Sequence, residues 1–423
     1  MPHKIWINNG DKVLICFFLL NHLRFYNLAY YSTIAGGYLR YIIDICFACF
    51  FFYCFLLSKS KGGKFERSVL LVYLVFLCSF FTSFIGGLNI VYWLRGAAPM
   101  FLPFGFFYYL KYKKIPINTV HSILLYLLLG YLLIQFICYI QYPNSWWGIA
   151  SWESDSVDKL KNDSLNRGVI RFVLPCKMLI PLFIFYIFMK ESKKRTDYLY
   201  LFLLFICLLL IGNRFPLLVT IIILFFLVLF SNRMKFINKL KVTLFSLITL
   251  GLCFFIPFTN NTISSLIKHS ESEYNDYGDK NVRILSTIYF FTEFNEGNLF
   301  NTIFGNGVVV PNSNSYSKKT MQLQDDYQFY SSDVGYCLIF LYFGVIGLIT
   351  LLIWFVSSLR VNAPPQYRFI KVYFVFIMIS MFAGGYWFEN LVIMAMLSYI
   401  LSIATAQLDS KRAIIKYIKE NHE

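Results

Sequence analysis

Arg95, Arg167, Arg171, Arg214 and Arg283 each stand where an apolar run begins or turns, in "YWLRGAAPMF", "LNRGVIRFVLP", "LLLIGNRFPLLV" and "NVRILSTIYFFTEF". A guanidinium is always charged and grips phosphate oxygens with a planar fork of donors. A cluster of them therefore fits a pyrophosphate at a membrane surface. Each also fits a plainer role, reaching lipid phosphate along its own stem or pairing with a nearby acid. Three carboxylates accompany them, Glu293, Asp333 and Glu389. Any is a candidate general base, and each fits equally an arginine partner or simple solvation. Arg167 and Arg171 are spaced i,i+4 and would share one face of a helix.

Whether these groups meet depends on the elements that carry them. The 423 residues are 58% hydrophobic, 20% aromatic and only 14% charged. Apolar stretches of about 18 residues or more recur from end to end, the mark of membrane-spanning helices. The sequence predicts an all-α, polytopic membrane protein, with residues 1–423 forming a single integral membrane domain. The first apolar run has no small-residue cleavage site and is followed by many more, which argues against a removable signal peptide. A net charge of +16 would point to nucleic acid in a soluble protein. Here lysine and arginine gather in short clusters between apolar runs, with no basic stripe carrying interleaved aromatics, so nucleic acid is not the expected partner.

Runs and loops together predict about twelve spans: 13–31, 38–57, 68–86, 91–110, 119–141, 168–189, 197–212, 215–231, 241–258, 333–357, 369–386 and 390–407. "SKSKGGKFER" (58–67), "KYKK" (111–114), "KESKKR" (190–195), "NRMKFINKLK" (232–241), the loop with Arg360, Arg368 and Lys371, and the C-terminal tail are basic and hence cytoplasmic. The loops between them are neutral or acidic. The alternation holds only if 197–231 is two spans that turn at Gly212, Asn213 and Pro216. That places Arg214 at the outer end of a tight hairpin. At the centre of a single helix it would cost about 2.5–3.5 kcal/mol. Both termini come out cytoplasmic. Two outer loops are long enough to carry function, 142–167 and the large, late 259–332. The second holds turn chemistry ("FGNG", 304–307; "VPNSNS", 310–315) and an amphipathic stretch, 281–294, suited to an interfacial helix.

The ten cysteines all fall in apolar segments, and "CFAC" (Cys46 to Cys49) reads as two small helix-packing residues. Five scattered histidines give no metal-ligand spacing, so neither metal nor cofactor is expected. Arg24 and Asp44 read as a structural ion pair between adjacent spans. Lys177, about halfway along the sixth predicted span, has no evident partner.

The order of these features resembles the O-antigen polymerase and ligase group of membrane glycosyltransferases. "LLIGNRFPLLV" is similar to that group's small-residue-plus-arginine segment. "NVRILSTIYFFTEFNEGNLFNTIFGNG" resembles its arginine, amphipathic helix and "fGxG" element. "SSDVGYCLIFLYFGVIGLITLLIWF" resembles the span after the large loop, with its Gly344–x–x–Gly347 step, and "NRGVIRF" the start of an earlier one. Ligases of the group carry a histidine where this chain has Asp333, a departure that favours polymerase. The resemblance implies that a growing glycan on polyprenyl (undecaprenyl) pyrophosphate passes to a lipid-linked repeat unit at the outer leaflet of a bacterial inner membrane. A chain-length regulator and a flippase would share that membrane. The implied roles are pyrophosphate binding by Arg95, Arg167, Arg171, Arg214 and Arg283, and proton removal by Asp333. Trp146, Trp147 and Trp152 in the first outer loop fit sugar stacking or interface anchoring. A lipid-oligosaccharide transporter is the competing class, but such folds carry internal repeats with broken helices near the midplane. No internal repeat is evident here.

Overall fold

The computed structural model of the chain describes residues 8–28, 36–58, 63–142, 146–147, 172, 174–211, 213–230, 282–310 and 313–420. The described residues form helices and no strand. In chain order the main helices are α1 (Asn9–His22), α2 (Gly36–Leu57), α3 (Lys64–Ile85), α4 (Ile90–Tyr112), α5 (Ile117–Gln141), α6 (Leu179–Phe188), α7 (Arg195–Leu210), α8 (Arg214–Leu229), α9 (Val282–Thr292), α10 (Leu299–Phe304), α11 (Ser315–Tyr327), α12 (Gly335–Arg360), α13 (Arg368–Ser380), α14 (Tyr386–Glu389) and α15 (Leu391–Glu420). Six stretches among them are long and apolar enough to cross a membrane: Phe65–Ile85, Ile90–Tyr112, Ile117–Gln141, Gly335–Arg360, Pro365–Ala383 and Leu391–Ser410. They mark the chain as a membrane protein. The predicted ninth span, 241–258, and the loop residues 259–281 lie outside the described residues.

A helix apolar on every side must be buried on every side. Helix α4 follows that rule: Met100 to Leu110 are all buried, with α2, α3 and α15 packed around them. Polar groups collect at one end of this bundle. Glu66 takes both the Lys111 ammonium and the Ser402 hydroxyl, and Tyr399 donates to the Ile115 carbonyl at 2.6 Å. Lys113 pairs with Asp11 at 3.2 Å at the start of α1.

Several expected elements come out differently. The first helix stops at His22, because Arg24, Phe25 and Tyr26 turn left-handed (φ 49°, 46° and 60°). The Asp44 carboxylate accepts from the Asn21 amide at 2.9 Å. Where a continuous sixth span was expected, residues 175–178 form a turn and the helix begins only at Leu179. Pro175 lacks the amide donor a helix needs there, and Cys176 is left-handed at φ 67°. The break between 197–212 and 215–231 is present, at residues 211–213. However, α7 packs on α6 and α8 on α13, so the two halves splay onto different partners and do not form the tight hairpin expected. Cys46 and Cys49 are exposed on the outer side of α2, not packed against another helix.

The large loop is docked by an interlock of glycines. Helix α12 breaks at Gly344 (φ 62°, ψ −161°), a conformation open to glycine alone. The break frees carbonyls that the helix would otherwise use. Asn306 donates its backbone amide to Leu341 O at 2.8 Å, and Gly307 donates to Tyr342 O at 3.2 Å. A side chain on Gly344 would meet Ile303 O at 2.3 Å, and one on Gly305 (φ 83°) would meet Tyr342 O at 2.4 Å. The "FGNG" element is thus the cap of the broken helix, and the Gly344 step is a break as well as a packing surface.

Candidate functional site

The docked loop carries Arg283 in the first turn of α9. The buried side of that helix holds Ser286 and Phe290, and Phe291 stacks on Phe340 of α12 with ring centres 4.8 Å apart. Ile284, Leu285 and Ile288 face outward. At the other end of the loop, Tyr330 and Ser331 lead into a single 3-10 turn, Ser331–Asp333, before α12 begins. These two ends meet. Arg283 Nε lies 3.9 Å from Asp333 Oδ2, with the side chains 53% and 42% exposed.

A second pair stands beside it. Lys177, in the turn created by Pro175, puts its ammonium 2.9 Å from Glu389 Oε2. Its side chain is 8% exposed, against 42% for Glu389. Glu389 closes α14, whose preceding turn contains Gly385; a methyl there would come within 3.3 Å of Ser332 O. The turn bearing Asp333 and the turn leading to Glu389 are therefore in direct contact. From Asn390 to Ser402, in the polar cluster at the other end, α15 rises about 18 Å.

The remaining candidates separate. Glu293 is exposed and sits ten residues beyond Arg283, about 15 Å along the helix, away from the pair. Arg95 occupies the second turn of α4, and the neighbouring Gly96 abuts Val308 and Val310 of the docked loop. Arg214 opens α8, but its side chain lies outside the described residues, as do Arg167, Arg171 and Trp152. Trp147 donates its indole N–H to the Phe25 carbonyl at 3.2 Å and so pins the end of the first helix, while Trp146 is exposed. Asn213, just before α8, is buried, and its side-chain amide nitrogen has no partner among the described residues.

Glu296 and Lys319 brace the loop from outside. Lys319 binds Glu296 at 2.5 Å and the Phe294 carbonyl at 2.9 Å, and its ammonium holds the Glu296 carboxyl below its ordinary value. Among the described residues no group of three or more His, Cys, Asp or Glu stands together at metal-binding distance.

No family model and no curated protein matches the sequence. The site must therefore be read from its own chemistry. Its cations can hold an anionic group, and its carboxylates, both open to solvent, can accept a proton. Sequence reasoning missed the role of Lys177. The signals that would have found it were Pro175 two residues before it, which breaks the helix, and an acidic residue in the turn before the last helix.

Proposed function

We propose that this protein is a membrane glycosyltransferase of the polymerase type, which moves a growing glycan from polyprenyl pyrophosphate onto the non-reducing sugar of a lipid-linked repeat unit. The observation that carries the reading is the meeting of Arg283 and Asp333 from the two ends of the described part of a loop docked on a broken helix. Such a donor already has a good leaving group. What it requires is charge stabilisation at the departing pyrophosphate and removal of one hydroxyl proton. Arg283 supplies the first, with Arg95, Arg167, Arg171 and Arg214 as further donors on the same reading. A carboxylate of the cleft supplies the second; Asp333, Glu389 and Glu293 are the candidates, and Asp333 ranks first by sequence.

The reading also carries a topology: twelve spans, both termini cytoplasmic, the large loop outside, and residence in a bacterial inner membrane. The outward apolar side chains of α9 support an interfacial position for that helix. Reporters fused at Asn213 and Ser313 should report the outside, and those at Lys113 and Lys193 the cytoplasm.

Two experiments test the activity. Purified protein in liposomes, given lipid-linked repeat unit, should build a ladder of longer chains. Deleting the gene should leave surface polysaccharide as single repeats. Loss of all polysaccharide from its final acceptor would mean ligase, and accumulation of lipid-linked units inside would mean flippase.

A further inference from the structure

We infer that Glu389 accepts the hydroxyl proton, with the buried Lys177 as its positioning residue, and that Asp333 orients Arg283. The inference rests on the glycosyl-transfer reading. It follows from where the two pairs lie and how deeply each cation is set.

In an in-line displacement the acceptor oxygen attacks the anomeric carbon from the side opposite the departing pyrophosphate. The cation on the leaving group and the base on the acceptor must then stand apart. In glycosidases that place a nucleophile between two carboxyls, the gap is about 6.5–9.5 Å. Asp333 stands only 3.9 Å from Arg283. An oxyanion bound to Arg283 would lie against the Asp333 carboxylate, on the leaving-group side of the sugar. No room remains there for the anomeric carbon and the acceptor oxygen between the two residues. Asp333 suits a different task, holding the guanidinium in place until the pyrophosphate takes its donors.

Glu389 is not held against Arg283 as Asp333 is. Its turn touches the Asp333 turn through Gly385 and Ser332, so the two pairs are neighbours. It has its own counter-cation and needs no share of Arg283. That cation is buried and faces inward, so it fixes the carboxylate without competing for the substrate. The carboxylate remains 42% exposed, open to an incoming hydroxyl.

The step balances. The acceptor oxygen forms its bond to the anomeric carbon as the bond from that carbon to pyrophosphate breaks. The leaving group departs with the electron pair, the proton passes to Glu389 Oε1 or Oε2, and water then takes it from the cleft.

Steady-state kinetics in liposomes, with purified lipid-linked repeat unit as donor and acceptor, tests this. Glu389→Gln should lower kcat by about 100-fold or more, with KM for the lipid-linked unit within about threefold of the parent. Asp333→Asn should mainly raise KM. Lys177→Met should follow Glu389→Gln in kcat, while Lys177→Arg, which keeps a cation, should recover most of it. A purely structural role would give low membrane levels and no such split. A Glu389→Gln enzyme within about tenfold of the parent kcat overturns the inference. If that variant fails to accumulate, Glu389→Asp carries the test, since it keeps the charge but shortens the reach. Reduced kcat at unchanged KM supports the inference, and parental kcat overturns it. A parent that builds no polymer overturns the glycosyl-transfer reading itself, a result distinct from any of these.

Discussion

Asp333 and Glu389 are equally exposed, each with 42% of its side chain open, but their partners are not alike. Arg283 is 53% exposed and 3.9 Å away, on a helix of a docked loop. Lys177 is 8% exposed and 2.9 Å away, in a turn set into the core. Burial of the cation separates a pair that can be exchanged for a ligand from one that is fixed. An exposed pair contributes about 0–1 kcal/mol and gives up its donors readily. A buried cation depends on its partners, and removing one from a fully buried pair costs about 3–5 kcal/mol. The first arrangement suits a place where pyrophosphate comes and goes. The second suits a group that must stay aimed.

The most disruptive change would remove the scaffold of the exposed pair and leave the buried one alone. Gly344→Ala puts a methyl 2.3 Å from Ile303 O, in a backbone conformation that only glycine adopts. Strain and overpacking together should cost about 3 kcal/mol or more. The docked loop should come loose, and trypsin should cut at Arg283, Lys318 and Lys319 at concentrations that spare the parent. Polymer formation should disappear with it. Retained protease resistance would show that the loop is held by something other than the "FGNG" cap.

Next in size is the buried pair. Glu389→Leu removes one partner, itself partly exposed, from a buried ammonium and should lower stability by about 1–3 kcal/mol, read as a fall in Tm. Glu389→Gln should cost much less, since its amide oxygen still accepts a hydrogen bond. The double change Lys177→Met/Glu389→Leu should recover much of the loss, because it buries no charge at all. Additive losses in the double variant would mean that the two residues do not act as a pair.

Much of this framework is legible in the residues. Helices α2, α3, α4, α5 and α12 start and stop near the limits their apolar runs set, α15 starts at its limit but continues to Glu420, and Asn213 stands in the break before α8. That Arg283 lies in the late loop and Asp333 where the next span begins is also legible, although their meeting is not. What escapes has a physical cause in each instance. The left-handed run at Arg24, Phe25 and Tyr26 contains no glycine or proline; the Trp147 indole and the Tyr26 hydroxyl, donating to Leu127 O at 3.1 Å, hold it from distant segments. The polar helix α11 has no apolar period to betray it, although Asn314 caps it by accepting from the Ser317 amide at 2.8 Å. Lys177 and Glu389 sit in separate turns far apart in the sequence, and only tertiary packing brings them together.

Substitutions in the exposed pair should leave stability almost unchanged and act on the substrate. Arg283→Gln and Asp333→Asn should each lower stability by less than about 1 kcal/mol. Arg283→Gln should weaken binding of the lipid-linked donor. Arg283→Lys should restore little of it, because an ammonium offers a point charge and not a planar fork. Full donor affinity in Arg283→Lys would show that charge alone suffices at this position.

The smallest effect belongs to the most exposed pair, Lys319 with Glu296, whose carboxylate is 79% exposed. It extends the same comparison to a pair at the outer surface of the loop. Lys319 lowers the proton affinity of Glu296 in the folded loop. The resulting stability is therefore complete above the carboxyl's ordinary value of 4.5. It fades as pH drops from there through the lowered folded value, where the carboxylate gains its proton and the pair is lost. Hydrogen-exchange protection across residues 294–319, taken relative to the intrinsic rate at each pH, should accordingly fall on acidification in the parent. In Glu296→Gln it should start slightly lower and change less over the same interval. Raising the salt to about 1 M should bring the parent towards the variant, since the Debye length then shrinks to about 3 Å. An acid response of equal size in Glu296→Gln would assign the effect to another carboxylate of the loop, with Glu293, Asp325 and Asp326 the nearest in sequence.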